Sequence, residues 1–184
     1  MRFIEILTEE HNLIRQVLDL FTLSVGQLEM YERPPTVFFD KAVDFTRNFA
    51  DNFHHFKEEH VMFVLLAQKK SGLIDAQIDV LRHQHDRGRN FTAEISKSLK
   101  GYATEDEIAT TNLVENLASY VALLRRHIHK EDYVFYPMAQ QTLTDEEKDR
   151  LLGEFRAQAE KAGGLEFARK YRTLIQEMGS LIGG

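Results

Sequence analysis

Cysteine is absent from the 184 residues of this sequence. Its absence excludes disulfides, thiolate nucleophiles, zinc sites with cysteine ligands and iron–sulfur clusters. Any metal ion must therefore be bound through nitrogen and oxygen atoms. Eight histidines and 29 acidic residues supply both kinds of atom.

Long apolar runs and clusters of basic residues are missing as well. The longest apolar run, residues 61–67, is too short to span a bilayer, and the first residues lack the apolar core of a signal peptide. We therefore expect a cytoplasmic protein. The net charge is −6 with a pI near 5.8, and lysine and arginine form no dense stripe. This charge pattern argues against a nucleic-acid or anionic-membrane partner.

Proline and glycine are too scattered to form a linker, and apolar residues instead recur at alternating steps of three and four. This rhythm is typical of amphipathic helices. Breaks in it predict four long helices, from Ile4 to about Glu32, from Thr36 to Ser71-Gly72, from Leu73 to Gly101, and from a capping box at Thr104–Glu107 to about Pro137. Because the loops are short, we expect an all-α fold, an up-down-up-down four-helix bundle over residues 1–140.

The remaining residues, 141–184, predict a C-terminal helical extension that braces the bundle. A second capping box at Thr144–Glu147 opens its first helix, and Gly163-Gly164 separates it from the last one.

Polar residues interrupt the apolar stripes of all four long helices. On the fourth helix the stripe comprises Leu113, Leu117, Tyr120, Leu124, His127, Glu131, Val134 and Met138. A buried ionised carboxylate costs several kcal/mol, on the order of 3 or more, unless a partner such as a metal ion pairs with it. His54 and Glu58 repeat the arrangement on the second helix, and His11 and His85 fill single positions on the first and third.

These six residues lie at similar depth in the bundle if each helix rises about 1.5 Å per residue. Four imidazoles as terminal ligands and two carboxylates as bridges are what a dinuclear transition-metal site requires. The sequence therefore predicts a metal centre formed by His11, His54, Glu58, His85, His127 and Glu131.

Other interpretations exist for these residues. A single histidine on an apolar stripe is most often a hydrogen-bonded core residue, although six buried polar groups would need six good partners. A histidine phosphotransfer or signalling bundle is the alternative from another class; it needs an exposed histidine near a lysine, and only His129-Lys130 offers that pair. We expect His83 and His129 to be exposed. We interpret Gly88 first as a position of close helix packing, and only second as an opening for a ligand channel.

The motifs resemble the hemerythrin-like (HHE cation-binding) family. The matching segments are residues 10–14, His54-His55-Phe56-Lys57-Glu58-Glu59, His85-Asp86-Arg87-Gly88-Arg89 and His127-Ile128-His129-Lys130-Glu131-Asp132. The resemblance implies two iron ions in a non-haem, carboxylate- and oxo-bridged centre, with the four histidines as terminal ligands and Glu58 and Glu131 as bridges. It also implies binding or reduction of O2, peroxide or NO in oxygen sensing, storage or stress defence, or alternatively iron donation to damaged iron centres.

The third helix departs from the pattern of the oxygen-carrying members of the family. Those proteins have two histidines one turn apart there, whereas Leu81 and Arg89 flank His85 at four residues on either side. A missing fifth histidine would leave more coordination positions open. Tyr120, His55 and His60 are candidates for an additional ligand or for an outer partner of one.

Overall fold

Residues 2–183 are described by a computed structural model, in which they form six helices and no β-strand. The all-α prediction is confirmed. The helices are α1 (Phe3–Glu29), α2 (36–67), α3 (Gly72–Ala103), α4 (107–142), α5 (Asp145–Ala162) and α6 (Gly164–Ile182). None of the helices in this range is long and apolar enough to cross a membrane.

Several helix ends differ from the predicted ones. Helix α1 ends at Glu29 and α2 at residue 67, each a few residues early. Helix α3 continues past Gly101 and ends at Ala103. The chain then turns at Glu105, which has a positive φ of 62°. The predicted capping box at Thr104 and Glu107 is therefore wrong, since α4 is capped by Asp106, whose side chain accepts a hydrogen bond from the Ala109 amide at 2.9 Å.

Pro137 does not end α4, contrary to the prediction. The proline follows a π-helical turn over Glu131–Phe135, and the helix then continues to Thr142. The wider turn relieves the clash between the proline ring and the preceding carbonyls, and the missing N–H costs little at the start of the next α-helical stretch. The same turn shifts the buried stripe, so that Phe135 is buried and Val134 is exposed.

The C-terminal helices pack against α1 and α2. The capping box at their start is confirmed, since the Glu147 amide donates to Thr144 Oγ1 at 3.3 Å and the Thr144 amide donates to Glu147 Oε2 at 2.8 Å. Gly163 and Gly164 both have positive φ, 120° and 57°, which explains why glycines separate α5 from α6. Tyr171 of α6 is buried and packs its ring against Phe45 and Phe49 of α2.

The core consists of two hydrophobic clusters. One includes Phe21, Phe38 and Leu117, and the other includes Phe3, Met62 and Phe135. Along each of the first four helices, the buried histidines and glutamates lie between residues of one cluster and residues of the other. A polar layer therefore crosses the bundle between two apolar regions.

Candidate metal centre

The structure brings all six predicted site residues together in this polar layer. Each of them is at most 1% exposed. With His55, they form two groups whose ligand atoms lie within 4.8 Å of one another. One group contains His11, His54, Glu58 and Glu131, and we call it the enclosed group. The other contains His55, Glu58, His85 and His127, and we call it the pocket-side group because His55 lines a pocket. Glu58 belongs to both groups, as a bridging carboxylate would.

Glu131 also lies between the two groups. Its Oε2 atom is 3.3 Å from His11 Nε2 and 3.1 Å from His127 Nε2. Its Oε1 atom is 3.8 Å from His85 Nε2. Both carboxylates thus face imidazoles of each group.

Sequence periodicity could not assign His55 to the buried or the exposed face of its helix. In an α-helix, adjacent residues point about 100° apart, so His54 and His55 would not both face the core. Residues Phe45–His55 and Glu58–Met62 are π-helical, and the wider turn brings both side chains inward, with exposures of 0% and 4%. The fifth imidazole expected to be missing is therefore supplied by α2 instead of α3.

The other two candidates for an additional ligand lie elsewhere. His60 is exposed and packs on the Phe56 ring, with 4.8 Å between ring centroids. Tyr120 is buried, but it lines a pocket beside His55. His83 and His129 are exposed, as predicted.

Each of the five buried imidazoles is oriented by an outer residue. The Nδ1–H groups donate to the oxygens of Asp132 (2.8 Å, from His11), Glu10 (2.9 Å, from His54), Asp51 (3.3 Å, from His55), Glu59 (2.6 Å, from His85) and Gln84 (3.0 Å, from His127). This leaves every Nε2 atom free to face the centre. Outer oxygens of this kind fix the tautomer and orientation of metal-binding histidines.

Cations hold the outer carboxylates in turn. Arg15 pairs with Asp132, and Arg89 donates to both Asp51 and Glu59. Although burial opposes ionisation, the hydrogen bonds from His85 and Arg89 lower the pKa of Glu59 to about 2. The ionised carboxylates of Asp51, Glu59 and Asp132 therefore favour protonated Nδ1 atoms on the imidazoles that they contact.

Lys57 is the cation of the enclosed group. It is fully buried, donates to Glu10 Oε1 at 2.8 Å and lies over the Phe53 ring. Burial nevertheless raises the pKa of Glu10 to about 7, because the attraction of Lys57 only partly offsets it. Glu10 thus links the buried cation to the His54 imidazole.

Without a metal ion, protons are unevenly distributed over the imidazoles. Burial opposes protonation, but the hydrogen bond of His11 to Asp132 and the nearby Glu131 carboxylate outweigh it and raise the pKa of His11 to about 9. Contacts with Glu131, Glu58 and Glu59 likewise raise the pKa of His85. Burial and the neighbouring positive charges lower the pKa of His54 and His127, and burial, with repulsion from His85, lowers that of His55 to about 4. Burial and the neighbouring Glu58 also raise the pKa of Glu131. His11 and His85 are therefore the imidazoles that retain protons beside the two inner glutamates.

Unsatisfied buried atoms concentrate at this centre. Among residues 2–183, seven buried side-chain polar atoms lack a hydrogen-bond partner, and five of them are His54 Nε2, His55 Nε2, Glu58 Oε2 and both Glu131 carboxylate oxygens. Orphaned buried groups are costly, and such a set of nitrogen and oxygen atoms suits a transition-metal ion. The residues present therefore fit a metal.

Tyr136 is a further buried group that the sequence stripe did not include. Its hydroxyl donates to Glu58 Oε1 at 2.6 Å and lies 3.3 Å from His11 Nε2, with its ring stacked on the His11 imidazole. It reaches this position because the π-helical turn before it rotates the following residues. Burial and the nearby carboxylates raise the pKa of Tyr136, so the phenol keeps its proton and can donate it.

Comparison with known proteins agrees with this geometry. The family model described as "Hemerythrin HHE cation binding domain" matches residues 2–139, so the chain belongs to the hemerythrin HHE cation-binding family. Together with the two clusters of histidine and glutamate, this membership defines a metal-binding protein.

Similar proteins occur in mycobacteria. Uncharacterized protein Mb2018 of Mycobacterium bovis and uncharacterized proteins MT2051 and Rv1995 of Mycobacterium tuberculosis are each 25% identical to the chain over 175 residues. Each match covers 88% of this chain and 68% of the relative. No solved structure matches the chain significantly.

Proposed function

We propose that this protein is a non-haem di-iron protein that binds or reacts with a small oxidant ligand, O2, peroxide or NO. The observation that carries the proposal is the pair of ligand groups sharing Glu58, with five imidazole Nε2 atoms and two carboxylates directed at one buried layer. Iron accepts mixed imidazole and carboxylate ligands, and a bound pair can exchange two electrons with a small ligand.

The two groups differ in how many imidazoles the protein supplies. The pocket-side group has three imidazoles, whereas the enclosed group has only His11 and His54. With Glu58 and Glu131 both shared between the groups, the enclosed group would have one ligand fewer and would leave more coordination positions for a small ligand. Tyr136 lies beside these positions, and its hydroxyl can donate to a bound oxygen or nitrogen atom in place of Glu58 Oε1.

The hydrophobic residues around the layer exclude bulk water from such a ligand. Phe63 and Phe135 pack on one side, and Ile14 and Ile128 are buried on the other. A dry site strengthens hydrogen bonds and prevents proton leakage. The chain itself thus holds the metal, orients the imidazoles and shields the ligand.

The order of the core clusters supports an up-down-up-down arrangement of the first four helices. Along α1 and α3, the cluster containing Phe3 precedes the polar layer, whereas along α2 and α4 it follows the layer. Neighbouring helices would then run in opposite directions, which short loops favour.

Metal content and optical spectra test the proposed function. Protein loaded with iron(II) without oxygen should contain about two irons per chain, one for each ligand group. Its spectrum should then change on addition of O2, hydrogen peroxide or NO, and the ligand that gives a reversible or catalytic change identifies the activity.

The exposed histidines provide the matched controls. His60→Ala and His83→Ala should keep the full iron content and the spectral response, because both side chains are exposed. A wild-type protein that folds but binds no iron would contradict the proposal, as would an iron-loaded protein whose spectrum none of the three ligands changes.

A further inference from the structure

A pocket of about 240 Å³ lies between α2 and α3, beside the metal centre. Arg47, Asp51, His55, Arg89, Thr92 and Tyr120 contribute to its walls. Since a water molecule takes up about 30 Å³ of liquid, this volume is far larger than a two-atom ligand needs. The pocket is therefore suited to a larger molecule than O2, peroxide or NO.

Several polar groups in this pocket have no protein partner. Thr92 and Tyr120 are only 5% and 3% exposed, and neither hydroxyl forms a hydrogen bond within residues 2–183. The buried His55 Nε2 atom belongs to the metal centre instead. Both hydroxyls can therefore form hydrogen bonds with a ligand in the pocket.

Two arginines and one aspartate supply the charges on the pocket walls. Arg89 is held by Asp51, Glu59 and Asp86 at 2.9, 2.5 and 2.7 Å, so its charge is compensated. Arg47 is exposed at the pocket and forms no ion pair within the described range. Its planar guanidinium can bind a carboxylate through two parallel hydrogen bonds.

We propose that this pocket binds a small organic carboxylate whose anionic group pairs with Arg47, accepts from the Thr92 and Tyr120 hydroxyls, and whose body extends over Gly88 toward His55. The absence of a side chain at Gly88 leaves room there. Binding itself does not require the metal. Only its effect on the neighbouring metal ion rests on the proposed function.

Calorimetric titration with acetate, propionate and benzoate tests this site, with the corresponding neutral amides as controls. At least one carboxylate should bind with one site per chain, and its amide should bind more weakly. Arg47→Gln should weaken binding about tenfold, the effect of losing one charge-assisted pair. Thr92→Val and Tyr120→Phe should weaken it less, whereas Arg156→Gln, which removes an exposed cation from α5, should have no effect.

Titrations of iron-loaded and iron-free protein separate this proposal from the proposed function. If iron binds and the spectrum responds to small oxidants, but none of the carboxylates binds at millimolar concentration, the pocket proposal is wrong and the proposed function stands. If a carboxylate binds in an Arg47-dependent manner without any iron uptake, the reverse holds. Binding that requires iron and survives Arg47→Gln would show direct attachment to the metal, which also contradicts the pocket site.

Discussion

The two ligand groups of the metal centre are built from the same residue types but differ in their surroundings. The enclosed group, with His11 and His54, is covered by Tyr136 and by the buried Lys57–Glu10 pair. The pocket-side group has three imidazoles and borders a pocket through His55. The enclosed group has two imidazoles and a phenol beside it, whereas the pocket-side group has three imidazoles and a neighbouring pocket. The comparison suggests a division between a reactive position and a structural one.

The largest effect is expected where the two groups meet. Glu58→Ala removes the carboxylate that both groups share, so we expect loss of both metal ions. Without metal, the variant should also lose about 3 kcal/mol or more of unfolding free energy, because the protonated His85 loses the buried carboxylate that lies 3.4 Å from its Nε2 atom. Elemental analysis and urea denaturation measure the two effects. A full metal complement in this variant would contradict the shared bridge.

Adjacent histidines on α2 belong to different groups, so their variants distinguish the two metal positions. His54→Ala leaves one imidazole in the enclosed group, and we expect that group to lose its iron, so that the iron content falls by about half. His55→Ala leaves two imidazoles and both carboxylates around the pocket-side ion, so it should lower affinity without emptying the position. Iron titrations of both variants, with His60→Ala as the control, measure the difference. Equal losses in the two variants would remove the distinction between the groups.

Proton release should accompany metal binding in both groups. His11, with a pKa of about 9, and His85, whose pKa is also raised, carry protons at pH 7 in the metal-free protein. A metal ion must displace them, so about two protons should be released per chain. Iron affinity should rise as the pH increases toward about 9, the pKa of His11, because fewer protons then have to be displaced. Calorimetry in buffers of different ionisation enthalpy measures the number of protons released. Iron binding without proton release would contradict the protonation of His11 and His85 in the metal-free protein.

The smallest expected effect concerns two glycines of α3. A Cβ at Gly88 would lie 3.7 Å from Leu124 Cδ2 and 3.8 Å from Tyr120 Cε2, which are ordinary contacts. Gly88→Ala should therefore stabilise the helix, by up to about 1 kcal/mol, with no change in iron content. Gly101→Ala is the matched control, since its Cβ would lie 2.4 Å from Ala109 Cβ and should destabilise the protein. Thermal unfolding compares them, and destabilisation by Gly88→Ala would show tighter packing at the pocket than the structure has.

The periodicity of the sequence predicted the regular parts of this fold well. The stripe of α3, from Ile74 through His85 to Leu99, is buried as predicted. The all-α class and the Thr144 capping box are confirmed for the same reason, because both depend on local patterns that an ordinary α-helix obeys.

The π-helical turns explain what periodicity could not predict. They lie at the metal centre, where they turn His55 inward, replace Val134 by Phe135 in the core and bring Tyr136 to Glu58. A rhythm of three and four residues assumes α-helical geometry, and it fails where the turn widens. The outer partners, such as Glu10 and Gln84, come from positions that only the packed structure brings near the imidazoles.

In the proposed di-iron centre, two metal positions share Glu58 within one buried layer. Crystals of the iron-loaded protein, measured at the iron absorption edge, would locate the metal directly. We expect two anomalous peaks per chain, one beside His11 and His54 and the other beside His55, His85 and His127, with Glu58 between them. A single peak, or peaks outside this layer, would contradict the claim.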